Sequence, residues 1–127
     1  MKEPRVSIVT ATYNRAEVLR LTIESVRRSR LTDWEMIIVG DACTDDSEAM
    51  VASFGDQRIR FVNLPVNAGE QSVPNNAGVA LAHAPFVAFL NHDDLWIPEH
   101  LDLALAHLES EQADLVSTLT IALDADG

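Results

Sequence analysis

The chain has 127 residues, 47% of them hydrophobic, and a formal net charge of −11. That is one domain's worth of sequence with material for a single core, and its acidity argues against a nucleic-acid partner, whose backbone requires a basic surface. No apolar run approaches the ~18 residues of a membrane span and the N-terminus has no signal-peptide pattern, so a cytoplasmic location is expected, with the inner face of a membrane as the alternative.

Residues 5–11 (Arg-Val-Ser-Ile-Val-Thr-Ala) read as the first strand. Asn14 follows as a plausible N-cap for a helix over 16–29. Leu19, Thr22, Ile23 and Val26 recur there at i, i+3, i+4 and i+7, one stripe of an amphipathic helix. Residues 35–39 are a second strand, followed by a polar turn in which Thr44 or Asp45 can cap a helix running to Phe54, stopped by Gly55. Residues 58–64 alternate more than the other strands and read as an edge strand with a wetter face. A loop through Asn67-Ala68-Gly69 leads to a helix over 72–82, with Pro74 tolerated in its first turn. Residues 86–90 (Phe-Val-Ala-Phe-Leu) are a short, unbroken apolar run that reads as a fully buried interior strand. A helix over 98–109 buries Leu101, Ala104, Leu105 and Leu108, and residues 114–121 are the expected last strand.

The alternation of strand and helix predicts an α/β fold, Rossmann-like, with a mostly parallel sheet and helices on both faces. The expected strand order is 3-2-1-4. In such sheets ligands bind beyond the carboxyl ends of the strands, where the strand order reverses. Strand one ends in Ala11-Thr12-Tyr13-Asn14, strand two in Gly40-Asp41 and strand four in Asn91-His92-Asp93-Asp94, and the third helix carries Asn75 and Asn76 near its start. Tyr13, Asp41, Asp93 and Asp94 are therefore expected on one rim. Adjacent carboxylates repel each other, and a hard cation such as Mg²⁺, held by one or two carboxylates and by ligand phosphates, relieves that. Each residue also has a plainer use: Tyr13 in packing, Asp41, Asp93 and Asp94 as helix caps.

Neither a P-loop nor a G-x-G-x-x-G fingerprint occurs. The histidines lack zinc-ligand spacing. Cys43 is the only cysteine, which rules out an internal disulfide, and no base is evident beside it.

The segments Val6 to Arg15, Glu35 to Asp45, Asn67-Ala68-Gly69 with Asn76-Ala77-Gly78, and Asn91-His92-Asp93-Asp94, in this order, resemble family 2 of the inverting glycosyltransferases, which have the GT-A fold. The resemblance covers about residues 6–108. It implies a nucleotide-sugar donor, a UDP-sugar in the first instance, with Mg²⁺ or Mn²⁺, and inverting transfer to a hydroxyl of a glycan, lipid or other acceptor. Ala11 and Tyr13 would line the base, Asp41 would hydrogen-bond the uracil, and Asp93 and Asp94 would bind ribose and metal. Asn14 and Asn75 are further candidates near the nucleotide. Gly40 stands where the family's V-D-D-G-S-x-D segment has its first aspartate, Ala42-Cys43 where it has Gly-Ser, Asn91 where the D-x-D pattern begins, and Asn75 where many members have an arginine.

No residue matches the family's catalytic base. The resemblance therefore implies that residues 1–127 form a single GT-A-like nucleotide-sugar-binding domain lacking the acceptor-binding half. Apolar surface beside residues 114–121 would then favour a homodimer. The alternatives are a non-catalytic nucleotide-binding or association fragment and a receiver-type signalling domain. The latter lacks support, because no acidic pair follows strand one and no lysine follows the last strand.

Overall fold

The structure, a computed structural model, describes residues 3–118. Its elements are β1 (Val6–Thr12), α1 (Ala16–Arg27), β2 (Trp34–Gly40), α2 (Ser47–Ser53), β3 (Ile59–Asn63), α3 (Ser72–Leu81), β4 (Phe86–Phe89) and α4 (His100–Ser110). All four strands are parallel, in the order β3-β2-β1-β4. Val6 pairs with Trp34 on one side and with Phe86 on the other, so the strand order reverses between β1 and β4.

Alternation along β1 and β2 divides their side chains between two faces. On one face Val6, Ile8, Trp34, Met36 and Ile38 join Leu19, Ile23 and Val26 of α1, Met50 and Val51 of α2, and Leu101 and Leu105 of α4 in the main core. Leu19, Ile23 and Val26 are fully buried; burying three such aliphatic side chains contributes about 6 kcal/mol of transfer free energy. On the other face α3 packs on β1 and β2. Its Gly78 lies so close to the sheet that a Cβ there would stand 2.4 Å from Val9 Cγ1. Helices thus cover both faces, with α1, α2 and α4 on one and α3 on the other.

Three expectations need correction. The run 86–90 is not a fully buried interior strand. β4 is an edge, and although Phe86 and Ala88 pack on the core and Leu90 is buried, Val87 and Phe89 are 39% and 60% exposed. Val87 and Phe89 point to the α3 face, and α3 covers β1 and β2 rather than β4. Second, residues 114–118 of the expected last strand carry no strand structure, and residues 119–121 lie outside the described residues. Third, Pro98 stands ahead of α4 rather than in its first turn, in a turn with Glu99, which holds the N-cap position without a side-chain cap bond. The expectation of β3 as the wetter edge strand matches its half-buried pattern. No helix among the described residues is long and apolar enough to cross a membrane.

Candidate functional site

A cleft of about 290 Å³ opens at the carboxyl ends of the strands, lined by Ala11, Thr12, Tyr13, Asp41, Asn67, Gly69, Glu70, Gln71, Pro74 and His92. Its size is near the lower end of small-molecule sites, about 300–1,000 Å³. The lining comes from the end of β1, the end of β2, the loop before α3 and the turn after β4. The cleft therefore straddles the β1–β4 boundary, where strand order reverses and ligands of such sheets bind.

β1 delivers Ala11 and Thr12 in the strand and Tyr13 just beyond it. Tyr13 is 49% exposed, so its ring is available to a ligand rather than spent in the core. Asp41 leaves β2 buried, at 6% exposure. Its carboxylate is bonded on both sides: Oδ1 accepts the Ala68 N–H at 2.8 Å and Oδ2 the Gly69 N–H at 3.0 Å, while its carbonyl accepts from Asn67 Nδ2 at 2.9 Å. Asp41 is thus the clasp of the Asn67-Ala68-Gly69 loop and caps no helix. At α2 the N-cap position is held by Asp46 rather than by Thr44 or Asp45, but Asp45 supports the helix start: its Oδ1 accepts the Ser47 N–H at 3.1 Å and the Ser47 hydroxyl at 2.6 Å.

The neighbouring turns are locked together. Asn14 takes a left-handed backbone (φ 49°), and its Oδ1 accepts the N–H groups of Thr44 and Asp45 at 2.8 and 3.2 Å. It is not the N-cap of α1; Arg15 holds that position. Asp45 Oδ2 instead accepts the Ala16 N–H at 3.3 Å, so one carboxylate serves the N-termini of two helices, where the backbone dipoles favour negative charge. Desolvation by itself raises the Asp45 pKa, but the bonds from Ser47 and Ala16 together outweigh it and leave the carboxyl below its ordinary value.

The turn after β4 is held from behind. His92 Nδ1 lies 2.9 Å from Thr12 Oγ1. Burial, helped by the nearby Arg15 charge, pushes the His92 imidazole below its ordinary value against the opposing effect of Asp93 and Asp94, which favours the neutral ring, with one nitrogen a donor and one an acceptor. Thr22 Oγ1 of α1 contacts the carbonyls of His92 and Asp94 at 3.0 and 2.8 Å. Asp93 and Asp94 are exposed, and Asp94 Oδ2 accepts from Asn91 Nδ2 at 3.2 Å.

Of the residues expected at the rim, Ala11, Tyr13 and Asp41 line the cleft together. Asp93 and Asp94 follow His92, which lines it, but are not themselves in its lining. Asn14 is engaged with the α2 turn, and Asn75 sits half-buried one residue after Pro74. Sequence reasoning missed His92 and Thr12 as parts of the cleft lining, and Thr22 as a support behind it. For Thr22 there was a signal: a hydroxyl on a buried helical stripe must find a partner.

No group of three or more His, Cys, Asp or Glu among the described residues is placed to hold a metal ion. A protein-only cage is therefore not built here. The two exposed carboxylates of Asp93 and Asp94 fit instead an ion of the Mg²⁺ type, which takes one or two carboxylates and completes its shell with water and ligand phosphates.

The sequence profile described as glycosyl transferase family 2 matches residues 7–125. The chain is 34% identical over 115 residues to the poly(ribitol-phosphate) beta-N-acetylglucosaminyltransferase TarP of Staphylococcus aureus strain N315, covering 88% of this chain and 35% of TarP. It is 32% identical over 123 residues to the succinoglycan biosynthesis protein ExoO of Rhizobium meliloti strain 1021, covering 91% of this chain and again 35% of the relative. The crystal structure of S. aureus TarS 1-349 in complex with UDP-GlcNAc superposes with a TM-score of 0.81 at 25% identity, over 87% of this chain and 32% of that one. The chain thus spans about a third of the length of these relatives.

Proposed function

The chain belongs to glycosyl transferase family 2, and from that premise we propose that its cleft binds the nucleotide of a sugar-nucleotide donor, a UDP-sugar, for inverting transfer to an acceptor hydroxyl on a glycan, lipid or other molecule. The observation that carries the reading is the convergence of Ala11, Tyr13 and Asp41, from two strand ends, in one cleft closed by His92. TarS, similar over 87% of this chain, has been crystallised with UDP-GlcNAc, which supports uridine as the base. Family membership leaves no room for a receiver-type signalling domain.

In this reading the exposed Tyr13 ring stacks on the base beside Ala11. Asp41 keeps a free lone pair on each oxygen after its two backbone bonds, and one accepts a base N–H. Asp93 and Asp94 hold Mg²⁺ or Mn²⁺ against the diphosphate; when bound, the ion neutralises charge on the departing diphosphate. Asn14 contributes by fixing the two turns behind Tyr13 and Asp41. Attack by the acceptor requires a carboxylate base, and no residue here matches that of the family, so the base and the acceptor-binding half are assigned to sequence beyond residues 1–127. The donor chemistry suits a cytoplasmic location.

Calorimetric titration with UDP, GDP and dTDP, with and without Mn²⁺, tests this. UDP should bind tightest and Mn²⁺ should strengthen it. Asp93→Ala or Asp94→Ala should abolish the Mn²⁺ enhancement while leaving metal-free binding in place. A chain that binds none of the three nucleotides would refute the proposal. Robust sugar transfer by the 127-residue chain would overturn the half-domain reading alone.

A further inference from the structure

Resting on that reading, we propose that Thr22 and Ser25 of α1 are positioning residues that set the acidic turn for the diphosphate and its cation. Both are buried, Thr22 at 0% and Ser25 at 6% exposure. Three residues apart, they share a face of the helix, within the stripe of Leu19, Ile23 and Val26 that forms the core. Thr22 Oγ1 lies 3.0 Å from the His92 carbonyl and 2.8 Å from the Asp94 carbonyl. One hydroxyl proton is thus shared between the two carbonyls that bracket Asp93. Ser25 Oγ accepts the Trp96 N–H at 3.2 Å and donates to the Thr22 carbonyl at 2.7 Å.

Two helical side chains therefore hold the main chain of residues 92–96 at three points. Within the turn itself, the Asp94 N–H reaches the Asn91 carbonyl at 3.2 Å and the Asn91 amide reaches the Asp94 carboxylate at 3.2 Å; both are long and exposed to water. With the His92 and Asp94 carbonyls drawn onto α1, the Asp93 and Asp94 side chains are left exposed. Carboxylates that must meet an ion at about 2.1 Å tolerate little wander of the backbone that carries them, and groups that orient ligands in this indirect way affect metal affinity about 10–100-fold. A role confined to stability would lower the melting temperature and leave the metal response intact.

The test uses the 127-residue chain. Thr22→Val removes the hydroxyl and keeps the side chain's shape; Thr22→Ser keeps the hydroxyl. Amide exchange of residues 93–96 is followed without ligand, and UDP affinity is measured with and without Mn²⁺. In Thr22→Val these amides should exchange faster, metal-free UDP affinity should stay within about twofold, and the Mn²⁺ enhancement should fall about tenfold, with Thr22→Ser restoring both. An unchanged Mn²⁺ enhancement, or equal weakening with and without metal, overturns the proposal. If Thr22→Val does not fold, Ser25→Ala, which removes the acceptor for the Trp96 N–H, is held to the same outcomes. If the unmodified chain shows no Mn²⁺ enhancement, the fault lies with the donor-binding reading. Unchanged exchange of residues 93–96 then refutes the positioning role on its own.

Discussion

Replacing Asp41 by Asn keeps the side chain's size and removes its charge and one of its two acceptors. In the structure the Asp41 oxygens receive the N–H groups of Ala68 and Gly69 at 2.8 and 3.0 Å. An asparagine amide has one oxygen and one NH₂, so whichever way it is turned, an N–H donor faces another donor. Hydrogen bonds to charged groups are worth about 1.5–3 kcal/mol and neutral ones about 0.5–1.5. One charged bond becomes neutral and the other is lost. Ala68 and Gly69 are exposed, so water can reach the orphaned N–H and limits the cost of leaving it unpaired. The expected loss is about 2 kcal/mol, which for a domain of this size lowers Tm by about 8 °C. Urea denaturation and thermal melting measure it. The same substitution frees the loop carrying Asn67 and Gly69, both in the cleft lining, so UDP affinity should fall about tenfold with or without Mn²⁺. An Asp41→Asn variant within about 0.5 kcal/mol of the unmodified chain, with UDP affinity unchanged, would refute the clasp and the place of Asp41 in the site together.

Two further outcomes are expected. Ala42 stands at φ 59°, a left-handed conformation that costs a residue with a Cβ about 1–2 kcal/mol; Ala42→Gly should relieve this and, after the extra freedom it gives the unfolded chain, stabilise by about 0.5–1 kcal/mol in urea, and a destabilised variant would show that the methyl's packing matters more. The Arg58 side chain holds the Asp56 carboxyl at about 2, down from 3.8, against desolvation and with help from Arg27. Because the folded value is the lower one, the stabilisation is present above about pH 4 and is lost as pH falls from there towards about 2. The Asp56 side chain is 10% exposed, and the contribution is about 2 kcal/mol at neutral pH. Urea midpoints of the unmodified chain and Asp56→Asn should therefore differ at about pH 6 and converge near pH 2; curves that stay parallel would count against the ion pair's role.

The strand order was legible because it follows from composition that burial dictates. Residues flanked on both faces must be apolar without interruption, as in 36–39, whereas the alternation in 58–64 announces an edge. The same rule misjudged 86–90. An apolar run records that a strand is meant to be covered, not by what, and Val87 and Phe89 are left partly exposed among the described residues. Ala11, Tyr13 and Asp41 were legible because parallel strands all deliver their carboxyl ends to one rim, whatever their separation in sequence. Thr22 was not, because its partners are about seventy residues away and its spacing matches an apolar stripe. Periodicity places a side chain on a face; it cannot say which backbone will lie against it.

The departures at the end of β2 have a physical account that the sequence alone could not supply. A Cβ at Gly40 would stand 2.6 Å from Asn63 Oδ1, 2.7 Å from Phe61 Cζ and 3.0 Å from Cys43 Sγ. Asn63 fills that space because its amide holds the following turn: Oδ1 accepts the Cys43 N–H at 2.8 Å and Nδ2 donates to the Cys43 carbonyl at 3.0 Å. An aspartate at position 40 and this Asn63 cannot both occupy the space without one of them moving. The absence of a side chain at Gly40 is therefore coupled to Asn63 on the next strand, and the turn that aims Asp41 at the loop before α3 is held by an amide from β3. Two substitutions that look like losses when residues 40 and 42 are compared with a motif thus have different physical standing. Gly40 is matched by Asn63, whose bonds support the turn. Ala42 is not matched in this way, because the clash its left-handed conformation creates is between its Cβ and its own backbone, which no neighbouring side chain can remove.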